Sequence, residues 1–162
     1  MNAVSKQKAI ERYHEDKSSK KKLSIFNHHS VFIPALQSIW QKAYGIELST
    51  MRASAVIVHY AVNNPEAIKP LAHEALRKNK TTPVAVFSQW EPYTDKYYEQ
   101  YPKHTQRQTA ATLGCAAYLL YNSLLNLCST YSSTSNLTHL MSLSHLNLKT
   151  LPLRLTTQYA TQ

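Results

Sequence analysis

Glycine and acidic residues are scarce in this chain of 162 residues. Only two glycines occur, Gly45 and Gly114, so the sequence has no glycine-rich loop of the kind that cradles phosphates. Nine Asp and Glu residues stand against 18 Lys and Arg residues, which leaves a formal net charge of +9 at pH 7. A surplus of this size attracts polyanions and speeds encounters with them. The composition therefore favours a nucleic acid over a small-molecule substrate as the main partner.

Cysteine is nearly as scarce. Cys115 and Cys128 lie thirteen residues apart in an apolar run, without a CxxC motif or a metal-binding spacing. This placement predicts two free thiols and argues against a disulfide-stapled secreted domain. The first 22 residues contain no apolar stretch of signal-peptide length, so we expect a cytoplasmic location.

The sequence also lacks the common signatures of enzymes. No GxSxG or HExxH motif occurs, and no close pair of carboxylates lies in an apolar context. His28 and His29 are adjacent but have no third ligand at helical spacing, which favours a polar loop over a metal site. We therefore expect no catalytic residue, no metal site and no cofactor, and we expect that the protein is not an enzyme.

The chain divides into three zones by composition. Residues 1–22 are polar and basic, and they predict a flexible arm with a transient helix around residues 9–16. Residues 23–107 carry the structural signal and are predicted to form a nucleic-acid-binding domain. Residues 108–162 contain no acidic residue, and Leu, Ser, Thr and Asn dominate them, which suits association or partial disorder. The predicted fold class is mainly α with a short β-strand.

Local signals place the elements of the second zone. Gly45 is suited to a left-handed helix cap, Ser49 or Thr50 to an N-cap, and Pro65 to a first helical turn. We predict a strand at 23–27, helices at 31–44, 51–62 and 65–78, a second strand at 82–87, and a tyrosine-rich segment at 89–103 with a short central helix.

The segment 20–62 resembles the ribbon-helix-helix DNA-binding family. The residues that carry the resemblance are the basic-led strand KKKLSIFN, the helix SVFIPALQSIWQKAYG and the following GIELSTMRASAVIVHYAV. Members of this family pair their strands between two chains, so the resemblance implies a homodimer. A two-stranded ribbon of this kind fits the major groove of DNA.

The resemblance also implies a set of contact residues. Leu23 and Ile25 would face the dimer core, because successive side chains alternate across a strand. The opposite face and the preceding basic run would face DNA, and the start of the second helix would bind a phosphate. The implied nucleic-acid contacts are Lys20, Lys21, Lys22, Ser24, Phe26, Ser49, Thr50 and Arg52.

Three functions stay open at this point. The leading hypothesis is a dimeric DNA-binding regulator, or an accessory factor of replication or transfer. The second is an RNA-binding protein whose basic arm and tyrosine-rich segment bind and stack on RNA. The third is a membrane-associated or protein-interaction factor that acts through residues 110–128, although their polar residues favour a buried helix over a membrane span.

Overall fold

Helices dominate the computed structural model, which describes residues 2–15 and 22–130. One antiparallel sheet of two strands accompanies them in these residues, and the predicted fold class is confirmed. In chain order the elements are α1 (Ala3–Glu15), β1 (Leu23–Phe26), α2 (Phe32–Tyr44), α3 (Thr50–Asn63), α4 (Pro65–Lys78), β2 (Val84–Ser88), α5 (Glu91–Gln100) and α6 (Gln106–Thr130).

The predicted helix ends are confirmed by their cap geometry. Gly45 ends α2 with a left-handed φ of 66°, and its N–H donates to the carbonyl of Gln41. Ser49 caps α3 by accepting a hydrogen bond from the backbone N–H of Arg52. Pro65 opens α4 in the first turn, where its missing N–H is not needed. The order of strand, helix, glycine and helix predicted for residues 23–62 is therefore present.

Strand β1 has its partner within the same chain. It pairs antiparallel with β2, so that Phe26 lies opposite Val84 and Ile25 lies opposite Ala85, and the register shifts once between Leu23 and Ser24. The resemblance to the ribbon-helix-helix family implies that β1 pairs with the same strand of a second chain. In the structure its hydrogen-bonding partner is β2 of the same chain, which follows some sixty residues later.

Helix α6 forms the centre of the core and packs against β1, α2, α3 and α4. Small residues let these elements approach it closely, and Ala110, Ala111, Ala116 and Ala117 are fully buried. The expected boundary at residue 107 falls at the start of this helix, so residues 106–130 belong to the same core as residues 23–105.

The same helix explains the long apolar run. Gln106–Cys128 has a mean hydropathy of 1.2, and it is the one helix in the described residues that is long and apolar enough to cross a membrane. More than half of its apolar window, 56%, is buried inside the protein. A helix that packs against a strand and three helices has a reason to be apolar without any lipid.

The first residues of the chain are more ordered than expected. Helix α1 starts six residues earlier than the predicted transient helix. The hydroxyl of Tyr13 donates to Asp95 at 2.8 Å, and the ammonium of Lys6 donates to Gln100 at 3.2 Å. The prediction of a flexible arm is therefore wrong for residues 3–15, since contacts with α5 stabilise a helix that its own sequence favours only weakly.

One glycine of α6 lies directly against a histidine. A Cβ atom added to Gly114 would sit 1.9 Å from Nδ1 of His29, far inside van der Waals contact. His29 belongs to a single 3-10 turn, Asn27–His29, that follows β1. The absence of a side chain at Gly114 thus lets this turn pack on the helix.

We predict that Gly114→Ala lowers the free energy of unfolding by about 1–3 kcal/mol, the usual cost of overpacking. In a chain that already carries His29→Ala, the same change should be neutral or stabilising by up to about 1 kcal/mol, because alanine favours helix more than glycine does. Urea unfolding of the four chains of this double-mutant cycle measures both effects. An equal cost in the two backgrounds would contradict the packing described.

Candidate nucleic-acid interface

Two of the expected contact residues lie in the protein interior. Ser24 and Phe26 are both 0% exposed, so the expectation that they face a DNA groove is wrong. The side chains of β1 do not alternate between core and solvent, because all four of its residues are buried. The guanidinium of Arg107 also lies over the Phe26 ring, 5.3 Å from its centroid. The strand is covered on both faces.

The basic run before β1 is described only at its last residue. Lys22 is exposed, and its carbonyl accepts a hydrogen bond from the hydroxyl of Tyr98 at 3.3 Å. Lys20 and Lys21 lie outside the described residues. Lys22 therefore remains accessible to a polyanion beside α5.

The other expected contacts gather at the start of α3. Ser49 and Thr50 are exposed there. Arg52 is half-buried, and its Nη1 donates to the carbonyl of Glu47 at 3.1 Å. This arrangement keeps Ser49 and Thr50 accessible at the positive end of the helix, while the Arg52 side chain folds back onto the preceding loop.

The excess of positive charge concentrates around α4. Residues 65–83, together with Lys103 and Arg107 near the start of α6, contain six Lys or Arg residues and two acids. Helices α1 and α5 contain four Lys or Arg residues and five acids. We define the α4 basic surface by its exposed cations: Lys69, Arg77, Lys78, Lys80 and Lys103.

A structural contact holds this surface together. Arg107 donates to the carbonyl of Thr82 at 2.9 Å and also to the carbonyl of Asn79. These bonds fix the turn after α4 to the first turn of α6. The turn that carries Lys80 is thereby anchored beside the core.

Three of the five surface cations have no ion pair among the described residues, namely Lys69, Lys80 and Lys103. The other two share Glu74, whose carboxylate lies 2.7 Å from Arg77 and 3.3 Å from Lys78. The hydrogen bond from Arg77, with that from Lys78, lowers the pKa of Glu74 to about 2. One carboxylate thus faces two cations, and the surface keeps a net positive charge.

A cleft of about 410 Å³ opens beside the α4 basic surface, between α4 and the corner where α5 leads into α6. Ile68, Ala72 and Leu76 of α4 give it an apolar lining. Its polar lining includes Gln100, Gln108 and Thr112, and Lys69 also lines it. The cleft therefore combines apolar surface, hydrogen-bonding groups and a cation.

Two aromatic rings form a stacked pair in this lining. The rings of Tyr101 and His104 lie 4.7 Å apart at an angle of 22°. The hydroxyl of Tyr101 donates to the carbonyl of Ala61 at 2.7 Å, and Nδ1 of His104 lies 2.8 Å from the hydroxyl of Tyr97. Burial lowers the pKa of His104 to about 4, so its imidazole is neutral at pH 7.

The remaining tyrosines of the tyrosine-rich segment belong to the core. Tyr93, Tyr97 and Tyr98 are all buried. Stacking of RNA bases on this cluster was one basis of the RNA hypothesis, and these three rings are not accessible for it. Only Tyr101 of the four tyrosines at 93–101 is half-exposed.

Sequence reasoning missed the α4 basic surface and the cleft. A signal for the surface existed, because PEAIKPLAHEALRKNK is an amphipathic helix that ends in a basic cluster. The cleft has no such signal, since it joins residues 65–76 to residues 100–112. Neither segment alone forms a concave surface.

We predict that Phe26→Ala lowers the free energy of unfolding by about 3–5 kcal/mol, because it removes a fully buried aromatic ring. Lys22 precedes the same strand and is exposed, so Lys22→Ala is the control. Its free energy of unfolding should stay within about 0.5 kcal/mol of that of the parent chain. Urea unfolding measures both variants. A small effect of Phe26→Ala would mean that the ring faces solvent, as the sequence had suggested.

We also predict that acid destabilises the protein partly through His104. Its pKa in the folded chain, about 4, lies below its unfolded value of about 6.5, so the unfolded chain binds more protons between these values. This contribution to stability is complete above pH 6.5 and is lost as the pH falls toward 4. His104→Gln should therefore lose less stability than the parent chain between pH 7 and pH 4.5, as measured by urea unfolding. Equal losses would contradict this assignment.

No protein-family model, curated protein or solved structure matches this chain. The function is therefore inferred from the exposed charges, the cleft and the buried strand.

Proposed function

We propose that the protein binds DNA and that the α4 basic surface makes its main contacts with phosphates. The observation that carries the proposal is the concentration of exposed cations around α4, where five exposed Lys or Arg residues accompany only two acids. Lysine and arginine contacts with phosphate release counterions, and this release supplies much of the affinity for nucleic acid.

The spacing along α4 suits several phosphates. Lys69, His73 and Arg77 follow one another at intervals of four residues, so they lie along one stripe of the helix. From Lys69 to Arg77 the helix rises about 12 Å. Phosphates on one DNA strand follow at about 3.4 Å of axial rise, so the stripe spans between three and four of them.

Further contacts are proposed at two places that the sequence indicated. Ser49 and Thr50 are exposed at the start of α3, where helix N–H groups suit a phosphate. Lys22 is exposed beside α5. Ser24 and Phe26 are not among the proposed contacts, because they are buried.

DNA is favoured over RNA because the buried tyrosines remove the main aromatic platform expected for single-stranded RNA. A membrane role has less support, because the apolar helix α6 packs in the core. A role as a dimeric regulator or an accessory factor of replication or transfer belongs to the same proposal. That role rests on the resemblance of residues 20–62, whereas phosphate binding rests on the charges.

We predict that binding to a DNA duplex weakens by orders of magnitude between about 50 and 200 mM salt. Lys69→Gln and Lys80→Gln should each reduce the slope of log K against log salt by about 1, because each removes one phosphate contact. Fluorescence anisotropy with a labelled duplex measures the slopes.

Lys42→Gln is the matched control, because it removes the same charge from a distant place. Lys42 lies near Cys128, which is sixteen residues along α6 from Thr112 of the cleft, or about 24 Å. The slope of log K against log salt for Lys42→Gln should equal that of the parent chain. Equal slopes for all three variants would overturn the assignment to α4, and an absence of binding at 50 mM salt would overturn DNA binding itself.

A further inference from the structure

We propose that the cleft between α4 and the α5–α6 corner binds one unpaired nucleotide, with the base inside the cleft and its phosphate at Lys69. The inference rests on the proposed DNA binding for the source of the nucleotide. A free nucleoside monophosphate has the same chemistry. The cleft is distinct from the stripe formed by Lys69, His73 and Arg77, although Lys69 and His73 also line the cleft.

The size and apolar lining of the cleft suit a planar base. Its volume of about 410 Å³ lies within the range of roughly 300–1,000 Å³ that is usual for small-molecule sites. Ile68, Ala72 and Leu76 give apolar surface, and the stacked rings of Tyr101 and His104 lie in the same lining. Stacking of a base on an aromatic side chain adds to binding and tolerates any base, because every base has a π-face.

The aromatic pair is held in place before any ligand arrives. Tyr101 is tied to Ala61 through its hydroxyl, and His104 is tied to Tyr97 through Nδ1. A ring that is already fixed loses little side-chain entropy when a ligand stacks on it. The pair therefore forms a preorganised wall.

The polar lining groups can hydrogen bond to the edge of a base. The Oε1 atom of Gln108 accepts a hydrogen bond from the N–H of Thr105, and Oε1 of Gln100 accepts one from Lys6. Each amide therefore keeps its NH₂ group as a donor. Nδ1 of His104 contacts the Tyr97 hydroxyl, and Nε2 donates in the tautomer in which Nδ1 accepts from that hydroxyl. Donor groups match the carbonyl and ring-nitrogen acceptors of bases, such as O6 and N7 of guanine.

The charges of the lining limit the number of phosphates. Lys69 supplies a cation for one phosphate, while Glu66 is the only acid among the described residues that line the cleft. A second or third phosphate next to Glu66 would meet a like charge. The cleft therefore suits a monophosphate unit more than a nucleoside triphosphate.

The test is calorimetric titration of the full-length protein with deoxyguanosine 5′-monophosphate, and separately with a single-stranded oligonucleotide and a duplex. Two variants change the cleft: Ala72→Leu fills its apolar part, and Lys69→Gln removes its cation. Lys80→Gln is the matched control, because it removes the same charge from the α4 basic surface outside the cleft lining.

We expect one monophosphate to bind per chain. Ala72→Leu and Lys69→Gln should each weaken this binding by about tenfold, which corresponds to about 1.4 kcal/mol, and Lys80→Gln should change it less than about twofold. If Ala72→Leu unfolds the chain, the difference in monophosphate affinity between Lys69→Gln and Lys80→Gln still tests whether the nucleotide binds in the cleft. Monophosphate binding that ignores the cleft variants would overturn the inference.

Failure of this inference can be told apart from failure of DNA binding. A chain that binds the duplex with a steep salt dependence but binds no monophosphate overturns the cleft assignment and leaves the proposed function standing. A chain that binds the monophosphate with the expected variant effects, but neither form of DNA, supports the cleft as a site for a free nucleotide and overturns the proposed function.

Discussion

The close approach of α6 to β1 and to the surrounding helices is the constraint on which the rest of the structure depends. The fully buried alanines of α6 at 110, 111, 116 and 117 have small side chains, so neighbouring elements can approach its backbone closely. Gly114 leaves room for the His29 ring. Leu113, Leu120 and Leu124 are also fully buried, and each contributes about 1.5–3 kcal/mol through the hydrophobic effect. Because α6 lies this close, β1 is part of the core and has no face left for solvent.

The buried strand determines where a charged partner can bind. A protein with a net charge of +9 must keep most of its cations in water, since burying an unpaired charge costs several kcal/mol. With β1 covered, the exposed cations of α4 and of the turn after it are the ones that a charged partner can reach. Arg107 is instead half-buried, and it stabilises the fold through the carbonyls of Asn79 and Thr82 and the ring of Phe26.

Local signals were sufficient to predict α2, α3 and α4. Gly45, Ser49 and Pro65 each act within one helical turn of their own position, and their predicted roles are confirmed. Contacts between distant parts of the chain could not be predicted in this way. Leu23 pairs with Ser88, and Tyr13 donates to Asp95 across 82 residues of sequence.

The burial of β1 shows why an alternating pattern can mislead. The sequence LSIF places a serine between two aliphatic residues. This pattern predicts a strand with one solvent-exposed face and one buried face. In the structure Ser24 is buried, and its Oγ has no hydrogen-bond partner within the described residues. A strand that pairs with β2 and lies under α6 is buried on both faces, so alternation no longer reports exposure. The DNA contacts that the family resemblance implied at Ser24 and Phe26 required that alternation.

The ion pairs of α4 do not prevent Arg77 and Lys78 from binding a phosphate. Arg77 and Lys78 are exposed and Glu74 is partly exposed, and an ion pair this open to water contributes little to stability because water solvates its members well. A phosphate can therefore replace the carboxylate at Arg77 without unfolding the helix. Arginine binds a phosphate through two parallel hydrogen bonds, as it binds a carboxylate. The Glu74 pairs thus hold the two long side chains of α4 in place without removing them from the surface that DNA would contact.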